Sequence, residues 1–448
     1  MLGKKSPIYQ EDLFRSRLSQ MILLDHELVI LAGEIDWAWI EKELSGYYAD
    51  RGRPSVPVRT MVGMLLLKQL FNESDESVLR RWVENPYWQY FTGETYFQHK
   101  APFDPTDFVH FRKRVGEQGM EKVLGLTVKI HKGSESEDVV QIDTTVQEKN
   151  ITFPTDTKLQ MRIIEYIHHI AKQENIRLRQ SYKFVIKKLR LQMHNGHLPA
   201  RIKQASKARK KLKILCGRLL RDLERKLSDS QLAHYKPYLD VYHKVLAQRR
   251  KSKNKIYSLH ELDVYCIAKG KAHKKYEFGC KVSVVRNAKS GVITGIKSYA
   301  KNIYDGHTLQ PALEQCQRIR ESLGGKRPEK AVVDRGCRGP AQIDGTQILI
   351  PGKPKADQKI SEKRALRKLF RARAAIEPVI GHLKQDHRMG RNFLAGIPGD
   401  AINAIMAGAA FHLKLRINQL RRQLKNIFVS IYHRIRKTLW PDKLVVIR

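Results

Sequence analysis

The stretch that decides the fold is DVVQIDTTV, residues 138–146, in which an apolar run rich in β-branched residues leads into Asp143. Such a run predicts a buried strand with the aspartate at its end. A second segment of this kind, EKAVVDRG at residues 329–336, leads into Asp334. Neighbouring strands would bring the two acids side by side, although acids that merely lie on the surface at strand ends are common.

More strand-like segments follow in the second half of the chain, at residues 276–285 (YEFGCKVSVV), 291–299 (GVITGIKSY) and 346–352 (TQILIPG). Helical spacing of apolar residues separates them from the first strand. The simplest arrangement is one α/β domain over residues 135–157 and 256–425, interrupted by a helical insertion over residues 158–255. The glycines Gly336 and Gly339 follow Asp334, where we expect the backbone to come close to another group.

The insertion is strongly basic. Residues 158–255 hold 27 Lys and Arg against 6 Asp and Glu. MHNGHLPAR, at residues 193–201, breaks the helical pattern and predicts a helical hairpin. A solvated helix face is the simplest interpretation of KARKKLK (207–213), but an excess of this size would repel itself without a polyanion nearby.

The formal net charge of the whole chain is +39. Nucleic acid is therefore the first candidate partner, and an acidic membrane surface is the competitor. The longest apolar runs are too short for a spanning helix, so no membrane is expected. Five cysteines form no CxxC pair, which predicts a reducing, cytoplasmic, nucleoid-associated location without a zinc knuckle.

Residues 1–130 show helical spacing and net negative charge. We interpret them as a helical N-terminal domain with Trp82 and Trp88 in its core, and a helix-turn-helix in which Arg80 and Arg81 touch phosphate is the alternative. Residues 426–448 form a basic C-terminal tail.

Glu377 stands out as the single glutamate of the cationic segment RARAAIEPVIGHLKQDHRMGR, residues 371–391. Pro378 follows it and is best tolerated in the first turn of a helix, so Glu377 should begin a helix or mark a kink. Cations three and four residues apart would then line one helix face below Glu377. A helix-surface ion pair between Arg373 and Glu377 is the structural alternative.

These residues resemble a known family. RAAIEPVIGHLK, residues 373–384, matches the R-x3-E-x6-K part of the signature of bacterial insertion-sequence transposases of the DDE class, with Arg373, Glu377 and Lys384 in register. Phe370 stands where that signature has a tyrosine. QIDTTV and VVDRGCRG resemble the segments around the family's two aspartates, with Cys337 where a tyrosine is usual. LAGEIDWAWIEKEL (31–44) and MLLLKQLF (64–71) resemble its helical N-terminal domain.

The resemblance implies a ribonuclease H-like catalytic domain that cleaves DNA at terminal inverted repeats and joins the ends to target DNA. Asp143, Asp334 and Glu377 would be the catalytic and metal-binding residues. Opening a phosphodiester with two divalent cations requires carboxylate ligands, which suit Mg²⁺, and Mn²⁺ can substitute. Asp143 would bridge both ions, with Asp334 on one and Glu377 on the other. The implied partners are double-stranded DNA, both transposon ends and target, and further copies of the chain in a homodimer or higher oligomer.

Several cations are candidate DNA contacts, and a plain surface or structural role is the alternative for each. They are Arg373, Lys384, Arg388, Arg391, Lys281, Lys210 and Lys211.

Three other functions remain open from the sequence. One is a metal-dependent nuclease of the same fold that cuts without joining, another is a domesticated, non-catalytic DNA-binding protein, and the third is a helical RNA-binding protein. The intact set of three acids argues against the second.

Overall fold

The computed structural model of the chain describes residues 3, 15–49, 51–52, 54–249, 251–268, 274–352 and 358–439. The chain divides into two compact units. The first comprises residues 1–148 and 280–448, and the second comprises residues 149–279.

The first unit begins with helices whose apolar faces form one core. Trp82 and Trp88 are buried in it, as the interpretation of residues 1–130 as a helical bundle predicts. The helices are α1 (Leu18–Met21), α2 (Glu27–Glu34), α3 (Trp37–Ser45), α4 (Val58–Leu70), α5 (Asp75–Glu84), α6 (Pro86–Phe91) and α7 (Pro105–Lys129).

The second unit is built mainly from helices that bury leucine and isoleucine side chains against one another. They are α8 (Asp156–Gln173), α9 (Lys183–Met193), α10 (Ile202–Glu224) and α11 (Asp229–Ala247). α9 and α10 pack on each other on either side of the break at residues 193–201, so the predicted helical hairpin is present, and α8 and α11 pack with it. The unit is also wider than the predicted 158–255, because strand residues at both ends belong to it. Those residues carry no charge excess, so composition does not mark them.

The described residues form eight strands. They are β1 (Val139–Lys149), β2 (Tyr265–Ala268), β3 (Tyr276–Asn287), β4 (Ile293–Tyr299), β5 (Lys330–Val332), β6 (Gln342–Ile343), β7 (Thr346–Leu349) and β8 (Arg391–Asn392). In the first unit the strand order is β3-β1-β5-β7-β6, with β4 on β3 and β8 on β1. β1, β5 and β7 are parallel, and β4 runs antiparallel to β3. In the second unit, β2 pairs with residues 276–279 of β3.

The remaining helices complete the first unit. They are α12 (Leu309–Ser322), α13 (Ile360–Ala372), α14 (Ile376–Gln385) and α15 (Gly396–Leu439). α15 packs against α4, α7 and β4, so the N-terminal helices and the sheet share one apolar core.

The segment 426–448, expected as a basic tail, continues α15 to Leu439, and its last residues 440–448 lie outside the described residues. None of the helices in the described parts of the chain is long and apolar enough to cross a membrane.

Candidate active site

Asp143 lies within β1 and not at its end, because β1 continues to Lys149. The parallel pairing of β1 with β5 stops at Gln141 and Val332. Asp143 therefore lies two residues beyond the last residue of β1 that pairs with β5. Its Oδ1 accepts a hydrogen bond from the Thr144 backbone N–H at 2.8 Å.

Asp334 follows β5 by two residues and opens the loop to residue 340. The loop begins with a tight turn in which the Cys337 N–H donates to the Asp334 carbonyl at 3.0 Å. Asp334 thus lies just beyond the end of β5, where the pairing of β5 with the strand that carries Asp143 has also ended.

Glu377 is the second residue of α14, and Pro378 is the third, as predicted for a proline in a first turn. A short 3-10 turn at residues 373–375 separates α13 from α14. The buried Gln141 of β1 donates from Nε2 to the Ala372 carbonyl at 2.8 Å. This bond holds the junction of the two helices against the strand that carries Asp143.

Arg373 occupies the space between the three acids. Its Nη1 lies 3.3 Å from Asp143 Oδ2, and its Nη2 lies 3.4 Å from Asp334 Oδ1 and 4.0 Å from Glu377 Oε1. The Arg373 side chain is 16% exposed, whereas those of Asp334 and Glu377 are 54% and 67% exposed. The expected helix pair of Arg373 with Glu377 exists, but it is the longest of three such contacts.

The electrostatics of the site centre on Asp143. Burial raises the pKa of Asp143 above its ordinary value, and the negative charges of Asp334 and Glu377 act in the same direction. The Thr144 N–H and the Arg373 guanidinium oppose this rise. The ionised form of Asp143 is therefore stabilised by a nearby cation.

Asp305 is a fourth acid beside this group, and the sequence offered no signal for it. Its Oδ1 accepts hydrogen bonds from Thr144 Oγ1 at 3.1 Å and from Lys281 Nζ at 2.9 Å. Lys281 also donates to the Ile303 carbonyl and is only 11% exposed. The expectation that Lys281 faces DNA is thus wrong for the structure described, because the lysine turns inward to Asp305.

The close backbone approach expected at Gly336 and Gly339 occurs at Gly306 instead. A Cβ on Gly306 would lie 2.2 Å from the Arg338 carbonyl oxygen. One on Gly336 would meet nothing nearer than Asp305 Oδ2 at 3.9 Å, and one on Gly339 would have open space. Beside it, Tyr304 donates from its hydroxyl to the Gly336 carbonyl at 2.6 Å. The segment before α12 therefore packs directly on the loop that carries Asp334.

The predicted row of cations below Glu377 is shorter than expected. Lys384 lies in the last turn of α14, but the helix ends at Gln385. Arg388 adopts a left-handed backbone with φ of 61° and donates from Nη1 to the Asn72 carbonyl at 2.9 Å. Arg391 lies in β8 and is exposed. Arg388 and Arg391 are therefore not on the helix face of Glu377, because the chain leaves the helix before reaching them.

Lys210 and Lys211 are exposed on α10 of the second unit.

Three carboxylates are the donor set that a hard divalent cation prefers. Within the described residues, no three His, Cys, Asp or Glu side chains are already arranged to hold a metal ion. The three acids are grouped around the guanidinium instead. The residue types fit magnesium, while the position between them is taken by Arg373.

Two family models match the chain. The model described as Transposase domain (DUF772) matches residues 16–114, and the one described as Transposase DDE domain matches residues 248–406. The second range contains Asp334 and Glu377 but begins after Asp143. An uncharacterized protein, ORF8 in the nfe locus of Rhizobium meliloti, is 44% identical over 184 residues, which are 40% of this chain and 89% of that protein. No solved structure matches the chain.

The helical N-terminal region and the mixed sheet with its helices fit a transposase of the DDE class. The chain belongs to the insertion-sequence DDE transposases. It is a DNA transposase, an enzyme that acts on DNA.

Proposed function

We propose that the protein cleaves DNA at the terminal inverted repeats of an insertion sequence and joins the ends to target DNA, with Asp143, Asp334 and Glu377 as its catalytic carboxylates. The observation that carries the proposal is their convergence on the Arg373 guanidinium from β1, the loop after β5, and α14. Glu377 is only four residues from Arg373, but Asp143 and Asp334 are distant from it in sequence and have no local reason to share its guanidinium.

The proposal includes a ribonuclease H-like fold for the catalytic region. Its support is the sheet, in which the parallel strands β1, β5 and β7 follow the antiparallel strands β4 and β3 in one continuous order. The first acid lies on the central strand and the second follows the neighbouring parallel strand.

Magnesium bound by these carboxylates would activate the attacking oxygen and stabilise the leaving oxygen of the phosphodiester. Asp143 would hold the central position, since it is the most enclosed of the three acids, and the more exposed Asp334 and Glu377 would lie towards the DNA. Arg373 would have to release the carboxylates and would then be free to bind a phosphate with its planar fork. Lys384, about two turns beyond Glu377, would place a point charge where DNA enters.

The test is Mg²⁺-dependent cleavage and joining, using duplexes that carry the inverted repeats found on either side of the gene. Asp143→Asn, Asp334→Asn and Glu377→Gln should each abolish cleavage and leave DNA binding largely intact. Asp386→Asn is the matched control, because Asp386 is an exposed acid at the end of α14 that pairs with His382. Wild-type activity in any of the three variants would remove that residue from the mechanism.

The products separate the alternatives. Joined products support a transposase that completes strand transfer, whereas cut ends without joining support a nuclease of the same fold. Light scattering of the protein on paired ends would test the proposed homodimer or higher oligomer.

Lys384→Ala should lower cleavage far more than bulk DNA affinity, to which it contributes one cation among many. Lys384→Arg should recover part of the loss. Normal cleavage by Lys384→Ala would show that DNA crosses this part of the protein elsewhere.

A further inference from the structure

A row of cations runs along one exposed side of α10 in the second unit, from its first turn to its C-cap. Every position of the row is basic except one, Ile214. Its members lie three or four residues apart, which places them on one side of the helix; they are Lys203, Lys207, Lys210, Ile214, Arg218, Arg221 and Arg225. We call these seven residues the α10 row.

The opposite face of α10 is the buried one. It contributes Leu212, Leu215, Leu219 and Leu223 to the core of the second unit. The helix is thus fixed by its apolar side, while the α10 row has no role in that packing. Among the residues that the structure describes, Lys203, Lys207, Lys210, Arg218 and Arg221 have no carboxylate partner within ion-pair distance.

At its C-terminal end the row borders a cavity of about 190 Å³. Arg179 joins Arg218, Arg221 and Arg225 around it, and Asp222 is the single acid in its lining. Asp222 is 8% exposed and accepts a hydrogen bond from the Arg179 backbone N–H at 2.8 Å, so it holds the wall of the cavity in place. Asp222 Oδ1 also lies 3.9 Å from Arg179 Nε and 4.0 Å from Arg225 Nη2. Among the described residues, Arg218 and Arg221 are therefore the lining guanidinium groups without a carboxylate partner, and they supply the positive charge for an oxyanion such as a phosphate group.

We propose that the α10 row and this arginine cavity bind the phosphate backbone of duplex DNA. From Lys203 to Arg225 the row is about 33 Å long at 1.5 Å per residue, close to one turn of the duplex. It contains no Asn or Gln to read bases, and its one apolar residue, Ile214, is not an aromatic platform on which single-stranded bases stack. The surface therefore suits a regular double-stranded backbone without sequence preference.

The inference concerns the second unit alone and is tested by binding alone, so it can fail without the proposed chemistry failing. The experiment uses the full chain and a 30-bp duplex of arbitrary sequence, about three helical turns. Affinity is measured by fluorescence anisotropy over a range of salt concentrations. The variant replaces Lys203, Lys207 and Lys210 with Gln.

The control variant replaces Lys187, Lys213 and Lys236 with Gln. These are also exposed lysines within helices of the second unit, but they lie off the α10 row. Both variants remove the same charge from exposed side chains, and circular dichroism shows whether each remains folded.

We expect the row variant to reduce the magnitude of the slope of log K against log salt by about 2 to 3, at roughly 0.9 per lost phosphate contact. The control variant should reduce it by less than about 1. Replacement of the three row lysines with Arg should retain the wild-type slope.

Equal effects of the row and control variants would overturn the proposal, because diffuse charge would then explain the binding. If the row variant lost affinity for single-stranded DNA or RNA but retained its affinity for duplex DNA, then duplex DNA would not be the ligand of the α10 row.

Discussion

The Nη1 atom of Arg373 lies 3.3 Å from Oδ2 of Asp143, two residues that are 230 positions apart in the chain. The same guanidinium reaches Asp334 and Glu377. Arg373 is thus the positive charge that the three candidate catalytic acids share. A divalent cation and Arg373 would compete for the same oxygen atoms.

The first prediction follows from this competition. Arg373→Gln should bind Mn²⁺ more tightly than the wild type in the absence of DNA, by roughly tenfold, or about 1.4 kcal/mol. Electron paramagnetic resonance of free Mn²⁺ measures this without any cleavage. Arg371→Gln is the control, since Arg371 is an exposed arginine of the adjoining helix. Unchanged or weaker binding by Arg373→Gln would show that the arginine does not exclude the metal.

The second prediction concerns Asp305. Asp305→Ala leaves the nearly buried Lys281 without its carboxylate and Thr144 without its acceptor. We expect the free energy of unfolding to fall by about 1–2 kcal/mol, which allows for the partial exposure of Asp305, and cleavage to fall as well. Asp305→Asn keeps an acceptor oxygen and should lose less. Denaturant unfolding measures the change.

The matched control for Asp305 is Glu165→Ala, which removes the acid of an exposed pair with Arg162. Its effect on stability should be within about 0.5 kcal/mol of zero. If Asp305→Ala lowered the free energy of unfolding by no more than this control, the contacts of Asp305 with Lys281 and with Thr144 of β1 would not contribute to stability.

A third prediction tests the packing of Gly306 on the loop of Asp334. Gly306→Ala should displace this loop, because the new Cβ would lie 2.2 Å from the Arg338 carbonyl oxygen. A shift of the order of 1 Å at a catalytic group can reduce a rate by about 100-fold. Cleavage rates of folded variants are the measurement. Gly339→Ala, where a Cβ meets open space, should cleave as the wild type does, and a similar loss in both variants would reject the packing argument.

The fourth prediction is a loss of stability in mild acid that arises from His387. Burial lowers the pKa of His387 to about 4 from an ordinary 6.5. Its Nδ1 lies 3.4 Å from the Gln69 carbonyl, and its buried Nε2 has no hydrogen-bond partner among the described residues. Protonation of Nε2 would leave a charged N–H without an acceptor, so the folded state resists it.

The unfolded chain takes up this proton near pH 6.5, whereas the folded chain does so only near pH 4. Stability from His387 is therefore present above pH 6.5 and is lost as the pH falls, by about 2 kcal/mol between pH 7 and pH 5. His387→Gln should show less loss over that range in denaturant unfolding. His382→Gln, which changes an exposed histidine of α14, should retain the wild-type pH dependence. A pH dependence unchanged in His387→Gln would assign the effect to other groups, of which the buried His412 is one.

Local pattern was sufficient for several features. Pro378 marked the first turn of α14 because, within a helix, its ring is best tolerated in the first turn. Helical spacing predicted the N-terminal bundle, and Trp82 and Trp88 were expected in its core because burial of large apolar side chains is favourable. Helical spacing of the cations wrongly placed Arg388 on α14. The spacing continues in the sequence beyond Gln385, where the helix ends.

By itself, the sequence determined the family, the strand and helix types, and the three acids as candidates, since each depends on residues close together in the chain or on a motif. Only the tertiary structure decided that Asp143 lies within a strand and that Arg373 is bound by the acids. It also revealed Asp305, whose partners Thr144 and Lys281 are 161 and 24 residues away. Such contacts form only when distant strands and loops pack together. The residues that neighbour a charged side chain in the sequence therefore do not show which distant group will pair with that side chain.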